Sequence, residues 1–281
     1  MEKVEKDRDI LKIGTTTWSY NLNLDNGLMN LEDIIREVSA QGMTVLEVEH
    51  RRFSSHTNAY YERIQRLFAD NGLEFIMAMD FPFLLMADEE GVEAAMTKFK
   101  QQLTTARRLG AKIVRMMGGK LCSPPDETTL ARWVEILKKA VEIAAAKNIK
   151  LALENHSDFY MEQLEEIVLK CGSPFFGITL DSANAFRIGE DELETVKRLA
   201  PHAFHLHLKD YVAAPETEGG VRHVALGEGE LPIKDMLQIL QGTGYRGVWN
   251  FELTRMDGAQ DERDASRRSV INLKRFLSQT S

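Results

Sequence analysis

Glu154, Asp181, His207 and Glu252 each stand at or beside the end of a short apolar run in the second half of the chain. Side chains alternate faces along a strand. On that parity Leu151 and Leu153, Ile178 and Leu180, Leu206 and Leu208, and Trp249 and Phe251 share one face. The four donors fall on the other, behind the smaller or polar Ala152, Thr179, His205 and Asn250. Parallel strands in a closed barrel would turn the large apolar face toward covering helices and the second face inward. Three carboxylates and one imidazole then converge at one end. This oxygen-rich set suits Mn²⁺, with Mg²⁺ or Co²⁺ as alternatives, better than a thiolate-loving metal. Such an ion could hold the carbonyl and an adjacent hydroxyl of a sugar, acidify the carbon-bound proton between them and stabilise an enediolate. Glu154 and Glu252 lie on strands three apart around the ring, so they could flank a substrate and exchange that proton on opposite faces.

The elements that must position these groups repeat eight times. Strands are expected at 12–18, 44–49, 74–79, 112–117, 150–154, 176–181, 203–209 and 247–253. Helical patterns follow at 31–40, 59–70, 91–109, 127–147, 162–170, 190–199, 233–241 and 261–277. Gly42, Asn71-Gly72, Gly110, Gly172 and Pro201 supply stops, and Asp126 a cap. Asp80-Phe81-Pro82 and Gly118-Gly119 open loops after the third and fourth strands, and the longest irregular stretch, 211–231, contains Gly219-Gly220 and Gly227-Glu228-Gly229-Glu230. Alternation of this kind implies parallel pairing with right-handed crossovers, and eight units close into a (β/α)₈ barrel. One TIM-barrel domain is expected over 1–281, with residues 1–10 a charged N-terminal extension. An open doubly wound sheet would want a Gly-rich phosphate fingerprint after its first strand, and Gly14-Thr15-Thr16-Thr17 is not one.

Composition narrows the partners. A hydrophobic fraction of 43% and a charged fraction of 28% are those of an ordinary globular protein. A net charge of -8 argues against a nucleic-acid surface, which needs clustered Lys and Arg. Two cysteines, Cys122 and Cys171, with no CxxC spacing suggest neither a disulfide framework nor a zinc ribbon, and fit a reduced, cytoplasmic protein. The charged first nine residues lack the apolar core of a signal peptide, and no apolar run reaches the roughly 18 residues of a membrane span. The expected partner is a small sugar or polyol, with no nucleic acid and no membrane.

Taken together, Leu153-Glu154-Asn155-His156, Leu180-Asp181-Ser182-Ala183-Asn184, His205-Leu206-His207-Leu208-Lys209-Asp210, Gly227-Glu228-Gly229, and Gly244-Tyr245-Arg246-Gly247 with Glu252 resemble the sugar phosphate isomerase/epimerase family with the xylose-isomerase-like barrel. The resemblance runs over nearly the whole chain. It implies that Glu154, Asp181, His207 and Glu252 are metal ligands, that the two glutamates are the acid/base pair, and that a homo-oligomer is common among relatives. Ketose 3-epimerases carry a histidine three residues after the metal Asp and an arginine six after the metal His; Asn184 and Ala213 stand there instead. That departure is closer to the inosose dehydratase-like branch and raises β-elimination from a keto-sugar or keto-inositol as the alternative to isomerisation or epimerisation. Lys209 would then be the acid that assists the leaving hydroxyl.

Other residues keep two readings. His156 and Asn184 are substrate contacts or loop caps. Trp18 walls a sugar ring or is buried as barrel aromatics commonly are. Glu49 or His50 touches substrate or simply ends its strand. Arg115 binds a phosphate or neutralises Glu47. His205 packs inward as a partner to the metal-binding imidazole. Lys209 is an acid or pairs with Asp210 or a neighbouring carboxylate. Arg222-His223 covers the site or stays in solvent.

Overall fold

The computed structural model describes residues 11–80, 89–118, 125–156, 159–217, 219–254 and 261–280. The N-terminal extension, Phe81-Pro82, Gly119 and Cys122 lie outside the described residues. Eight parallel strands form the barrel: β1 (Ile13–Thr16), β2 (Val45–Glu49), β3 (Glu74–Asp80), β4 (Ile113–Met117), β5 (Lys150–Glu154), β6 (Phe176–Asp181), β7 (Ala203–His207) and, after the hairpin β8 (Asp210–Ala213) and β9 (Val221–Val224), β10 (Trp249–Phe251). Each strand pairs with its neighbour in chain order, and β10 returns to β1 through Ile13 opposite Trp249. Leu208 closes the ring by pairing with β10, its N–H reaching Asn250 and its carbonyl receiving Glu252 N–H.

Helices α1 (Asn21–Asp25), α2 (Leu31–Ala40), α3 (Asn58–Asp70), α4 (Glu89–Arg108), α5 (Glu127–Ala145), α6 (Met161–Cys171), α7 (Glu192–Leu199), α8 (Ile233–Gly242) and α9 (Glu262–Thr280) surround it. Their starts are written in the sequence. Asn30 and Asp33 bond reciprocally at the head of α2, and Asp126 accepts the Thr129 N–H at 2.8 Å at the head of α5. Gly172 ends α6 with φ +56, a left-handed conformation that costs other residues a Cβ clash.

The expected parity is the observed one. Leu151, Leu153, Ile178, Leu180, Leu206 and Phe251 are buried in the main core between strands and helices. A separate small cluster of Val45, Ile76 and Val248, with Ile113 against it, floors the barrel interior. Above that floor the interior turns polar, with buried Glu47, Glu154, Asp181, His205 and His207.

Three expectations need correction. The first strand stops at Thr16, because a tight 3-10 turn, Thr17–Tyr20, follows, with Thr16 Oγ1 capping Trp18 N–H at 2.8 Å. Trp18 therefore sits on a turn and not on a strand. The seventh and eighth strands are shorter than expected and end before Lys209 and Glu252. The stretch 211–231 is not irregular throughout, since β8 and β9 pair antiparallel with Tyr211 opposite His223. Asp210 organises it: Oδ2 accepts the Gly227 and Gly229 N–H at 2.9 Å each, and Oδ1 those of Tyr211 at 3.0 Å and Leu231 at 3.2 Å. A Cβ on Gly229 would collide with that carboxylate, which is why the Gly-Glu-Gly stretch carries glycine there.

Candidate active site

Successive strand ends are stitched together by side chains that bond to their neighbours' backbone. Asn155 lies just past β5 and holds both polar groups of the Asp181 backbone, accepting from its N–H at 2.6 Å and donating to its carbonyl at 2.9 Å. Ser182 does the same one strand on, its Oγ accepting Lys209 N–H at 2.8 Å and donating to Lys209 O at 2.9 Å. Asp181 Oδ1 accepts Ala183 N–H at 2.9 Å, so Oδ2 is the oxygen left for the interior. These clamps fix the backbone from which the chemical groups project.

The four donors meet. His207 Nδ1 lies 3.2 Å from Glu252 Oε2, 3.7 Å from Glu154 Oε1 and 3.9 Å from Asp181 Oδ2. The ligand atoms of Glu154, Asp181 and His207 all fall within 4.8 Å of one another. His207 Nδ1 has no hydrogen-bond partner among the described residues. Its other nitrogen, Nε2, is 2.9 Å from Glu47 Oε2, the oxygen that also meets His205 Nε2 at 2.7 Å.

Two permanent cations enter the same cluster. Arg115 pairs with Glu154 Oε2, while Lys209 Nζ sits 2.7 Å from Asp181 Oδ2 and 2.6 Å from Glu252 Oε1. Glu47, Glu154, Asp181 and His207 are at most 1% exposed. The charges do not balance: four carboxylates (Glu47, Glu154, Asp181, Glu252) less two cations leave two negative charges with neutral imidazoles. Uncompensated charge in a buried site costs several kcal/mol.

The titration shifts follow from that imbalance. Burial pushes His207 down, but Glu47, Glu252 and Glu154 hold it well above the ordinary imidazole range. For Asp181, burial is the main cause of a raised pKa, with Glu154 and Glu252 adding to it against Lys209. Glu154 is also pushed up by burial, yet Arg115 and His207 hold it well below the usual carboxylate range. Burial similarly lowers Lys209, and Asp181 and Glu252 outweigh it to keep the ammonium charged. His207 is thus drawn toward its protonated form, which offsets one charge of the two. A divalent cation would offset both, and the donor set suits one.

The structure places the other expected site residues unevenly. Asn184 is inside, its Nδ2 donating to Glu154 Oε1 at 3.1 Å. Arg115 is inside, but its guanidinium is spent on Glu154 and not on Glu47 directly. His205 packs inward against Glu47, with no hydrogen-bond partner for its Nδ1 among the described residues. His156 lies half-buried just beyond β5. Glu49 ends β2 two residues beyond Glu47 and is engaged by Arg51 Nε at 3.0 Å and Arg52 Nε at 3.3 Å. Trp18 lies at the same rim with the Arg51 guanidinium 5.4 Å over its ring. Lys209 pairs with Asp181 and Glu252, whereas Asp210, its other expected partner, is the loop latch. His223 stands on β9, where burial and then Lys209 and Arg187 push its imidazole down to about 4.

Sequence reasoning gave Glu47 no more than a neutralising role and passed over Asn155 and Ser182. Alternation along β2 puts Glu47 and Glu49 on one face, but only the ring closure reveals that Glu47 meets β7.

The family model described as xylose isomerase-like TIM barrel matches residues 35–275. SgbU of Escherichia coli K12, provisionally named an L-ribulose-5-phosphate 3-epimerase, is 29% identical over 181 residues, 62% of this chain and 62% of that protein, so less than two thirds of its length is spanned. Among solved structures, D-psicose 3-epimerase of Clostridium cellulolyticum H10 with D-tagatose superposes with a TM-score of 0.80 at 14% identity over 95% of this chain and 99% of that one. The IOLI protein with a bound zinc atom superposes with a TM-score of 0.80 at 19% identity, covering 96% and 99% of the two chains. At these identities the solved structures carry the fold.

Proposed function

The chain belongs to the xylose isomerase-like TIM barrel family, and from that premise we propose that it is a divalent-metal-dependent sugar isomerase or epimerase. It takes a proton from the carbon next to the carbonyl of a ketose, sugar phosphate or keto-inositol. The observation that carries this reading is the convergence of His207 Nδ1 with Glu154, Asp181 and Glu252 in a buried cluster whose carboxylates outnumber its permanent cations.

Glu154, Asp181, His207 and Glu252 would hold the ion, for which Mn²⁺ is the first choice and Mg²⁺ or Co²⁺ the alternatives. Once bound, such an ion supplies electrophilic polarisation of a substrate carbonyl. The protein's own groups do the rest. Arg115 and Asn184 fix the Glu154 carboxylate from two sides, which sets its direction of approach to the substrate. Glu252 approaches from a strand three positions round the ring, so one carboxylate removes the proton and the other returns one on the opposite face. The narrow polar interior excludes bulk water and strengthens each of these interactions.

Lys209 favours a second reading. A buried ammonium between Asp181 and Glu252 can hand a proton to a departing β-hydroxyl, which converts the same first step into a dehydration. The two outcomes separate in one experiment. The protein is incubated in D₂O with Mn²⁺ and panels of ketoses, ketose phosphates and keto-inositols, and products are followed by NMR. Deuterium in a rearranged sugar supports the isomerase, and loss of the hydroxyl supports the lyase. Neither exchange nor product on any panel sinks both.

A further inference from the structure

We propose that Lys209 is an internal competitor for the divalent ion, its ammonium holding the place between Asp181 and Glu252 that the ion must take. This rests on the metal-dependent reading above. The contacts of 2.7 Å and 2.6 Å are the short, charge-assisted kind, and they use one oxygen from each of two of the four donors. His207 Nδ1 faces the same Asp181 oxygen from 3.9 Å and the other Glu252 oxygen from 3.2 Å. A small divalent ion sits roughly 2.1 Å from its carboxylate oxygens. An ion on Asp181 Oδ2 would therefore crowd an ammonium already in contact with that atom, and the two positive charges repel.

The exchange asks little of the fold. Ser182 pins both backbone polar groups of Lys209, so the strand end stays where it is. Above it runs a flexible four-carbon stem ending in a compact point charge, which a change of rotamer moves aside. The displaced ammonium remains in the neighbourhood of His223, on which its charge already acts. With the ion in place and the lysine nearby, the account closes: four carboxylates against two cations and one divalent ion. Metal uptake thus releases Lys209 from the carboxylates before substrate arrives, and the same residue that weakens metal binding becomes a free acid at the mouth.

The test is isothermal titration of MnCl₂ into chelator-treated full-length protein. Wild type, Lys209→Met, which matches the stem without the charge, and Lys209→Arg, which keeps the charge, are compared. The expected result is at least tenfold tighter Mn²⁺ binding by Lys209→Met and no tightening by Lys209→Arg. Melting temperature gives a second readout: metal-free Lys209→Met melts below wild type, and Mn²⁺ raises its melting point by more than it raises that of wild type. If the variant folds only when Mn²⁺ is added, that also supports the exchange. Equal or weaker Mn²⁺ binding by Lys209→Met overturns the competition while leaving the metal-dependent reading standing, as does a Lys209→Met protein that fails to fold even with Mn²⁺. Absence of Mn²⁺ binding by wild type and both variants overturns the metal-dependent reading itself.

Discussion

His207 Nε2 lies 2.9 Å from Glu47 Oε2, a contact made across the barrel between β7 and β2. Because the same oxygen also holds His205, one carboxylate orients two imidazoles. With Nε2 committed to Glu47, the proton that His207 would give up to bind a cation is the one on Nδ1, the nitrogen facing Glu154, Asp181 and Glu252. An outer carboxylate of this kind sets the tautomer of a metal-binding imidazole and makes it a stronger donor.

Glu47→Gln keeps the shape and removes the charge. Its effect should be a loss of Mn²⁺ affinity of about 10- to 100-fold with the fold intact, since partners of this type contribute on that scale. Calorimetry on metal-free protein measures it. An unchanged dissociation constant would show that Glu47 serves packing alone.

Glu154→Gln and Glu252→Gln should each remove turnover, by at least the roughly 10²- to 10⁴-fold that a positioned acid or base contributes. His207→Ala should lose chiefly the metal, with activity recovering in part as Mn²⁺ is raised. Steady-state rates against a responsive sugar check all three. A near-normal rate in either glutamine variant contradicts the paired-carboxylate assignment.

Much of this was legible beforehand, and the misses share a cause. Alternation along single strands is local, so Glu154, Asp181 and His207 could be set on the inward face from Leu153, Leu180 and Leu206 alone. Helix limits followed from Gly42, Asp126 and Gly172 for the same reason. Ring closure is not local. It brings Glu47 of β2 to His205 and His207, and no pattern within β2 points across the barrel. Lys209 had two candidate kinds of partner, Asp210 next to it in sequence or a neighbouring carboxylate, and the sequence does not choose between them. The shortened β7 delivers it to the neighbouring carboxylates Asp181 and Glu252 and leaves Asp210 to bind four backbone N–H groups. Hydrogen bonds that side chains make to a neighbouring strand's backbone, as Asn155 and Ser182 do, leave no periodicity to detect.

Stability should fall on acidification, and His223 should account for part of the fall. Its imidazole is pushed down to about 4 by burial and by Lys209 and Arg187, against about 6.5 in an unfolded chain. Between those values the unfolded state binds a proton that the native state refuses, so native stability decreases as pH drops from about 7 toward 4. A group this buried supplies on the order of 2 to 3 kcal/mol over that range. Melting curves at intervals from pH 7.5 to 4.5 should therefore be less steep in His223→Gln than in wild type. Superimposable profiles would contradict the assignment.

The Asp210 latch gives the most direct test of how the mouth is built. Its carboxylate serves the N–H groups of Tyr211, Gly227, Gly229 and Leu231, tying the end of the hairpin and the start of α8 to the segment that carries Lys209. Removing it leaves four donors in a partly buried turn, and unpaired donors of that kind cost about 1 to 3 kcal/mol apiece before the loop relaxes. Because relaxation lets water reach several of them, the net cost of Asp210→Ala should be about 3 to 4 kcal/mol. For a chain of this size that is a drop in melting temperature on the order of 10 °C. Amide exchange should accelerate at 227–231 well before it does in β5 or β6, whose hydrogen bonds are barrel pairings that do not involve Asp210. A variant that melts within about 2 °C of wild type, with those amides still protected, would mean that the hairpin is held by Tyr211 and its contact to Glu192 instead.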